Sequence, residues 1–355
     1  MTVSLCVVAY NEEKILPSLL ADLQSQTYPH HLTEIVLVNS MSTDGTREIM
    51  ESFAASNESF SSVIVVDNPK KFQACGWNVA LKTATGDVII RIDAHTSVPP
   101  EFVSLNMKNI EDGEYVSGGV RPCLIEGDSK WSQTLLQVEN SLFGSSINKC
   151  RRTVGKTYVK TMFHAAYRRE VFAKVGGFNE NLMRTEDNEL HYRIRQAGYK
   201  LSFDSEIVSY QYARSDFKKM IKQKKGNGQW IGLTLGVCPG CVSPFYLIPF
   251  CFVCGIVFTT ALALLGFWHL AALMWTLYGA FSIVNTVLSI ISNGFIGWKL
   301  LMPFLFFVLH VSYGIGTLIG LLQMPFRRKT LKNCPEIENV KEVIKKKGIV
   351  DVDEQ

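Results

Sequence analysis

Val3–Ala9 is a β-branched apolar run that stops at Tyr10-Asn11-Glu12-Glu13, after which apolar residues recur with helical spacing at Ile15, Leu19, Leu20 and Leu23, to about Gln26. The pattern predicts a strand, a polar loop and a helix. It repeats: residues 34–38 read as a strand, 39–44 as a polar turn and 45–54 as a helix. Residues 63–66 read as a third strand, a helix follows that contains 78–82, and 87–92 form a fourth strand. Continuous apolar strands alternating with helices predict an α/β fold with a mostly parallel central sheet covered on both faces. Ligands of such sheets bind beyond the carboxyl ends of the strands, where the polar clusters lie.

The pattern changes after residue 210. A basic stretch, 215–230, carries Lys218, Lys219, Lys222, Lys224 and Lys225 with Phe217, Met220 and Ile221 between them, which reads as an amphipathic helix on a membrane surface. Apolar spans follow near 245–267, 270–292 and 300–323, each long enough to cross a hydrocarbon core of roughly 30 Å. From Ile231 to Phe326 the only formally charged side chain is Lys299, and this deficit brings the charged share of the 355 residues down to 19%. The expected organisation is therefore a front domain at 1–214, an interface helix at 215–232, about three transmembrane helices within 245–323 and a basic tail at 327–355. The tail should prefer the cytoplasm. Three crossings from a cytoplasmic front domain would leave it outside, a conflict that a re-entrant piece within 230–254 would remove.

The N-terminus has neither a basic leader nor a small-residue cleavage site, so it reads as a first strand with the front domain on the cytoplasmic side. Nine scattered cysteines argue against a disulfide framework. The pairs Cys238/Cys241 and Cys251/Cys254 are too closely spaced, and the second is too apolar in its setting, for a usual zinc site. A net charge of +4 does not call for a nucleic-acid partner.

Two clusters carry chemistry. Asp93-Ala94-His95 ends the fourth strand, and an extended segment would turn both ligands toward one divalent cation, Mn²⁺ in preference to Ca²⁺. Glu186-Asp187 opens a helix that closes at Gly198, and the helix start favours an ionised Asp187, either as a cap or as a general base. Arg121, His164, Arg168 and Arg169 are further candidates, with one of the last two arginines bracing Glu186 or Glu189.

These residues, with Val8 to Glu13, Val38 to Thr46, Ala166 to Arg169 and Gly176 to Glu180, stand in an order that resembles family 2 glycosyltransferases, in particular the membrane-attached enzymes of exopolysaccharide and capsule assembly of the succinoglycan type. The resemblance runs from Val3 to about Trp230. It implies a GT-A fold and an inverting transfer of sugar from a nucleotide diphosphate donor to a lipid-linked saccharide at the inner membrane face. By position, Ala9, Tyr10, Asn11 and Glu13 with Asn39 and Ser40 would hold base and ribose, and Asp93 and His95 the ribose and an Mn²⁺ or Mg²⁺ ion on the diphosphate. Asp187 would deprotonate the acceptor.

Asn39 replaces a frequent Asp, whose carboxylate would accept the uracil N3–H; its amide oxygen can do the same, so UDP is the first guess. His95 replaces the second acid of the usual pair. Processive relatives carry Gln-x-x-Arg-Trp where this chain has Gly226-Asn227-Gly228-Gln229-Trp230, which favours single transfers. The alternatives are a processive polysaccharide synthase and a non-catalytic nucleotide-sugar-binding scaffold.

Overall fold

A computed structural model describes residues 1–125, 129–144, 154–213 and 216–347, which form two compact units. The first unit comprises residues 1–122, 150–211 and 330–355, and the second 123–149 and 212–329. The expected boundary at 214/215 and the end of the tail from 348 fall outside the described residues.

The first unit is built on an eight-stranded sheet. Its first four strands are β1 (Val3–Ala9), β2 (Thr33–Asn39), β3 (Ser62–Asp67) and β4 (Val88–Asp93), all mutually parallel in the order β3-β2-β1-β4. The short β5 (Thr96–Ser97) follows. The sheet then continues through β9 (Ala165–Arg168), β6 (Val116–Val120), β10 (Leu201–Val208) and β8 (Lys156–Val159). Here β9 runs antiparallel to both neighbours, β10 is parallel to β6, and β8 is antiparallel at the edge. The repeating pattern had marked only the parallel half. Helices α1 (Leu16–Gln24), α2 (Thr46–Ala55) and α4 (Phe102–Glu111) cover one face, and α3 (Gln73–Thr83), α6 (Arg169–Val175) and α7 (Glu186–Gln196) the other.

Side-chain alternation divides the core between the two faces. Along β2, Ile35 and Leu37 join the first core, whereas Val36 and Val38 join the second. The chain order reverses between β1 and β4, which makes the crevice at their carboxyl ends the natural ligand site. Register fixes that edge, because Asn39 pairs with both Ala9 and Asp67, and Val8 pairs with Asp93.

Part of the basic tail at 327–355 is built into the first unit. Helix α12 (Glu336–Lys346) buries Val340 and Ile344 completely beside Trp77, Phe172 and Phe178, because its apolar residues recur on one face. The Gly177 N–H donates to the Ile337 carbonyl at 3.1 Å, and a Cβ at Gly176 or Gly177 would collide with Ile337 or Val340. Asn179 and Asn181 donate to the Leu331 and Thr330 carbonyls at 3.0 and 2.9 Å, and Glu336 pairs with Lys82 at 2.5 Å.

In the second unit, β7 (Cys123–Ile125) leads to α5 (Lys130–Asn140), and α8 (Phe217–Thr234) starts at Asp216, whose side chain accepts the Lys219 N–H at 2.8 Å. Then come α9 (Ile248–Leu264), α10 (Trp268–Asn293) and α11 (Met302–Lys332). Three helical stretches, Pro244–Leu264, Trp268–Asn293 and Gly297–Lys346, are long and apolar enough to cross a membrane. Two boundaries differ from the sequence reading. Gly266, with φ +94°, ends the first span before residue 267, and α11 continues through Pro325 to Lys332, well beyond 323.

Candidate active site

Each carboxyl-end loop of β1, β2 and β3 holds one non-glycine residue in the left-handed region: Asn11 at φ +56°, Met41 at +58° and Lys71 at +65°. Such conformations persist where surroundings hold them, and they gather at ligand sites. The first two loops interlock. The Thr43 N–H donates to Asn11 Oδ1 at 2.8 Å, the Glu12 N–H to Thr46 Oγ1 at 2.8 Å and the Gly45 N–H to Glu13 Oε2 at 2.9 Å. Asn39 belongs to the same lattice: its Oδ1 accepts the Ser42 N–H and its Nδ2 donates to Asp67 Oδ1, each at 3.0 Å. Asn39 is therefore engaged within the protein, and Ser40 is the residue of this pair that lines the cleft, with Ala9, Tyr10, Lys71, Asp93 and His95.

Asp93 ends β4, almost fully buried. Its Oδ1 accepts from Gln73 Nε2 at 3.0 Å and Arg91 Nη2 at 3.4 Å, and its Oδ2 lies 3.2 Å from His164 Nε2. Burial alone would raise this carboxyl, but Arg91, the His164 hydrogen bond and His95 hold it well below the usual range. Ala94 and His95 form the turn from β4 into β5 rather than the extended segment expected, yet Asp93 and His95 still face one cleft. The His95 Nδ1 lies 3.5 Å from Glu12 Oε1; burial would lower its pKa, and Glu12 and Asp93 raise it. Buried His164 is pushed down by desolvation and stays neutral, with Nδ1 2.9 Å from Ser209 Oγ. The partners thus fit a ring that donates from Nε2 to Asp93.

Arg91 is the feature that the sequence reading passed over. Two residues before Asp93 on β4, it turns to the same face, where its guanidinium lies 4.7 Å from the Trp77 ring centroid and 5.8 Å from that of Phe178. Its charge acts on Asp93, Glu186 and Asp187, so one buried cation serves three carboxylates. Its Nε and Nη1 have no hydrogen-bond partner among the described residues.

Glu186 and Asp187 form the first turn of α7 behind the cap Thr185, and Gly198 at φ +93° ends the segment. Burial, then the charge of Asp187, pushes the Glu186 carboxyl up to about 7. Asp187 is raised by burial too, against Arg91, the Asn188 N–H at 2.8 Å and Arg121. Arg121 is buried in the connection that follows strand β6, and its guanidinium lies 3.2 Å from the Phe163 ring centroid.

Other candidates lie elsewhere. Arg168, at the end of β9, donates to the Ile110 and Glu114 carbonyls, and Arg169, the first residue of α6, donates to the Gly86 carbonyl. Neither braces the acids; Arg193, one helical turn on, pairs with Glu189 at 2.7 Å. Gln229 and Trp230 stand on α8 in the second unit, where Gln229 donates to Gln323 at 2.8 Å and the Arg327 guanidinium lies 5.7 Å from the Trp230 ring.

The chain is 30% identical over 235 residues to the succinoglycan biosynthesis protein ExoA of Rhizobium meliloti, a match that covers 64% of this chain and 68% of that protein. It is 24% identical over 325 residues to a dolichyl N-acetyl-alpha-D-glucosaminyl phosphate 3-beta-D-2,3-diacetamido-2,3-dideoxy-beta-D-glucuronosyltransferase of Methanococcus voltae, covering 90% of this chain and 97% of that one. A mannosyltransferase from Pyrobaculum calidifontis, solved with GDP-Man and Mn²⁺, has the same GT-A fold, with a TM-score of 0.51 at 18% identity over 93% of this chain and 88% of its own. Residues 4–176 match the model of Glycosyl transferase family 2, and with these relatives the chain belongs to that family.

Proposed function

We propose that the protein is an inverting glycosyltransferase that takes a sugar from a nucleoside diphosphate donor, UDP first, and places it on a hydroxyl of a lipid-linked saccharide at the cytoplasmic face of the inner membrane, in exopolysaccharide or capsule assembly. The observation that carries this reading is the grouping of Asp93, Glu186 and Asp187 around buried Arg91, beside a cleft closed by the loops of β1, β2 and β3. The archaeal relative is named for a dolichyl-linked phosphate sugar, and three helices apolar enough to cross a membrane follow residue 211, which supports a lipid-borne acceptor.

In this reading Asp187 accepts the acceptor hydroxyl proton, and the oxygen bonds to the anomeric carbon. The bond to the diphosphate breaks on the opposite face, and the nucleoside diphosphate leaves with the electron pair. Glu186, pushed up to about 7 by burial and by the charge of Asp187, holds its proton below that pH and so favours a single negative charge on Asp187. His164, Gln73 and Arg91 hold Asp93 ionised and oriented. A carboxylate and an imidazole facing one cleft suit a divalent cation, with Asp93 and His95 as its ligands. Bound there, Mn²⁺ or Mg²⁺ would neutralise charge on the departing diphosphate.

The test is transfer from a panel of radiolabelled nucleotide sugars, with Mn²⁺ or Mg²⁺, into the lipid extract of membranes that contain the wild type or Asp187→Asn. Label from one donor entering lipid only with the wild type is expected. Nucleotide binding without transfer or hydrolysis from any donor would favour a binding scaffold, and a ladder of long products a processive synthase.

A further inference from the structure

The first unit and the apolar helices disagree about how many times the chain crosses a bilayer. Thr330 onward belongs to the first unit, with α12 sealed into its core, so the chain leaves and re-enters that unit on one side of a membrane. An even number of crossings must lie between. Three candidate spans are present among the described residues.

Two of them make a hairpin. Helices α9 and α10 run back to back around the turn at Gly266, with Phe252 stacked on Tyr278 at 4.4 Å between centroids and Thr259 Oγ1 3.7 Å from Met274 Sδ. Apolar side chains are exposed around them: Val257, Phe258 and Leu264 on α9, and Leu273, Phe281 and Ile291 on α10. Nothing in the hairpin is charged.

Helix α11 differs. Its Met302, Leu305, Phe306 and Leu309 are buried with Leu135 and Val138 of α5 and Met220 of α8. Further along, α8 and α11 run parallel at backbone contact. A Cβ at Gly228 would collide with the Tyr313 carbonyl, one at Gly316 with the Lys225 carbonyl and one at Gly320 with the Gln229 carbonyl. The first half of α8 therefore lies level with the first half of α11, and it bears exposed Lys218, Lys219, Lys222 and Lys225. Were α11 to cross, these four ammonium groups would be carried into the hydrocarbon with it, which charged side chains resist. Its opposite side shows an apolar seam, Phe304, Ile315, Leu318, Leu322 and Phe326, and it ends in exposed Arg327, Arg328 and Lys329. One apolar stripe beside a basic partner is the pattern of a helix lying in a headgroup layer.

We propose that the chain crosses the bilayer twice, through the α9–α10 hairpin, and that α8 and α11 together form a platform that docks onto anionic lipid headgroups. This rests on the membrane attachment proposed above. The platform returns the chain to the side it left, and the conflict over the basic tail disappears.

The full chain, tagged before Met1 or after Gln355, is exposed to protease in sealed right-side-out and inverted membrane vesicles, and Gly266→Cys is treated with a membrane-impermeant maleimide over the wild-type cysteine background. Both end tags should be lost completely in inverted vesicles and persist in right-side-out ones, while Gly266→Cys gains label only in the latter. End tags cleaved from opposite sides would overturn the proposal in favour of three crossings and leave membrane attachment intact. Label at Gly266→Cys from the side of the tags would also overturn it, because the hairpin would not cross. Release of the protein by alkaline carbonate would instead remove the membrane reading itself.

Discussion

The two halves of the large sheet treat polar groups in opposite ways. In the parallel half the strand ends lie level, and Asn11, Glu13 and Asn39 accept the backbone N–H groups of Thr43, Gly45 and Ser42, which ties them to one loop. In the mixed half a single helix start sets buried Glu186 beside half-buried Asp187, with the charge of Arg91 acting on both. The first arrangement satisfies its polar groups within the protein and suits a rigid cradle. The second raises both carboxyls, Glu186 to about 7, and a raised, mutually coupled pair is suited to proton transfer.

The largest expected effect separates the halves directly. Asp187→Asn should lower transfer by about 10²–10⁴-fold and leave nucleotide-sugar binding, measured by calorimetry, unchanged. Parallel loss of binding would place Asp187 in the cradle. Arg91→Met should come next, because it leaves Asp93 and the acid pair without their cation; a loss of about 3–5 kcal/mol is expected, read from thermal unfolding of the detergent-solubilised protein. An unchanged midpoint would show that the acids need no counter-charge.

The Glu186 carboxyl, held up to about 7, keeps its proton to higher pH than an ordinary glutamate. The pH–rate profile should therefore carry an inflection near 7 that Glu186→Gln removes. The acid limb, set by the burial of Asp187, should stay above the ordinary aspartate range in both proteins. A wild-type profile that is flat through neutrality would contradict the poise. The smallest effect belongs to the cradle: Lys71→Gly relieves one left-handed residue and should shift stability by no more than about 1 kcal/mol, with donor affinity as the readout of the lost side chain.

The parallel half was legible because each strand is a short β-branched run ending in a polar cluster, so Asp93 and the 9–13 loop could be located by counting. The mixed half was not. Its β8 is an exposed edge strand of four residues, and the antiparallel insertion of β9 joins residues about 50 to 80 positions apart, which no local period records. Arg91 looked like an ordinary strand residue because its value lies in Trp77 and α7, both remote in sequence. The motif places Asn39 at the base, and the fold adds that Ser42 and Asp67 already engage its amide. Helix α11 reads like any transmembrane span because Gly316 and Gly320, which admit α8, count as neutral in a hydropathy window.

The docking of α12 has a consequence for biogenesis. Chains are made from the N-terminus, and domains generally fold as units when their last residues emerge. Here the core beneath Trp77 and Phe178 is sealed by Val340 and Ile344, which are synthesised after every apolar helix. A ribosome that has finished residues 1–211 has therefore not finished the front unit. On the membrane attachment proposed above, the apolar segment would reach the bilayer before α12 completes the surface behind Gly176 and Gly177. Competence for transfer would thus arise at the membrane, in chains whose insertion has already been accomplished.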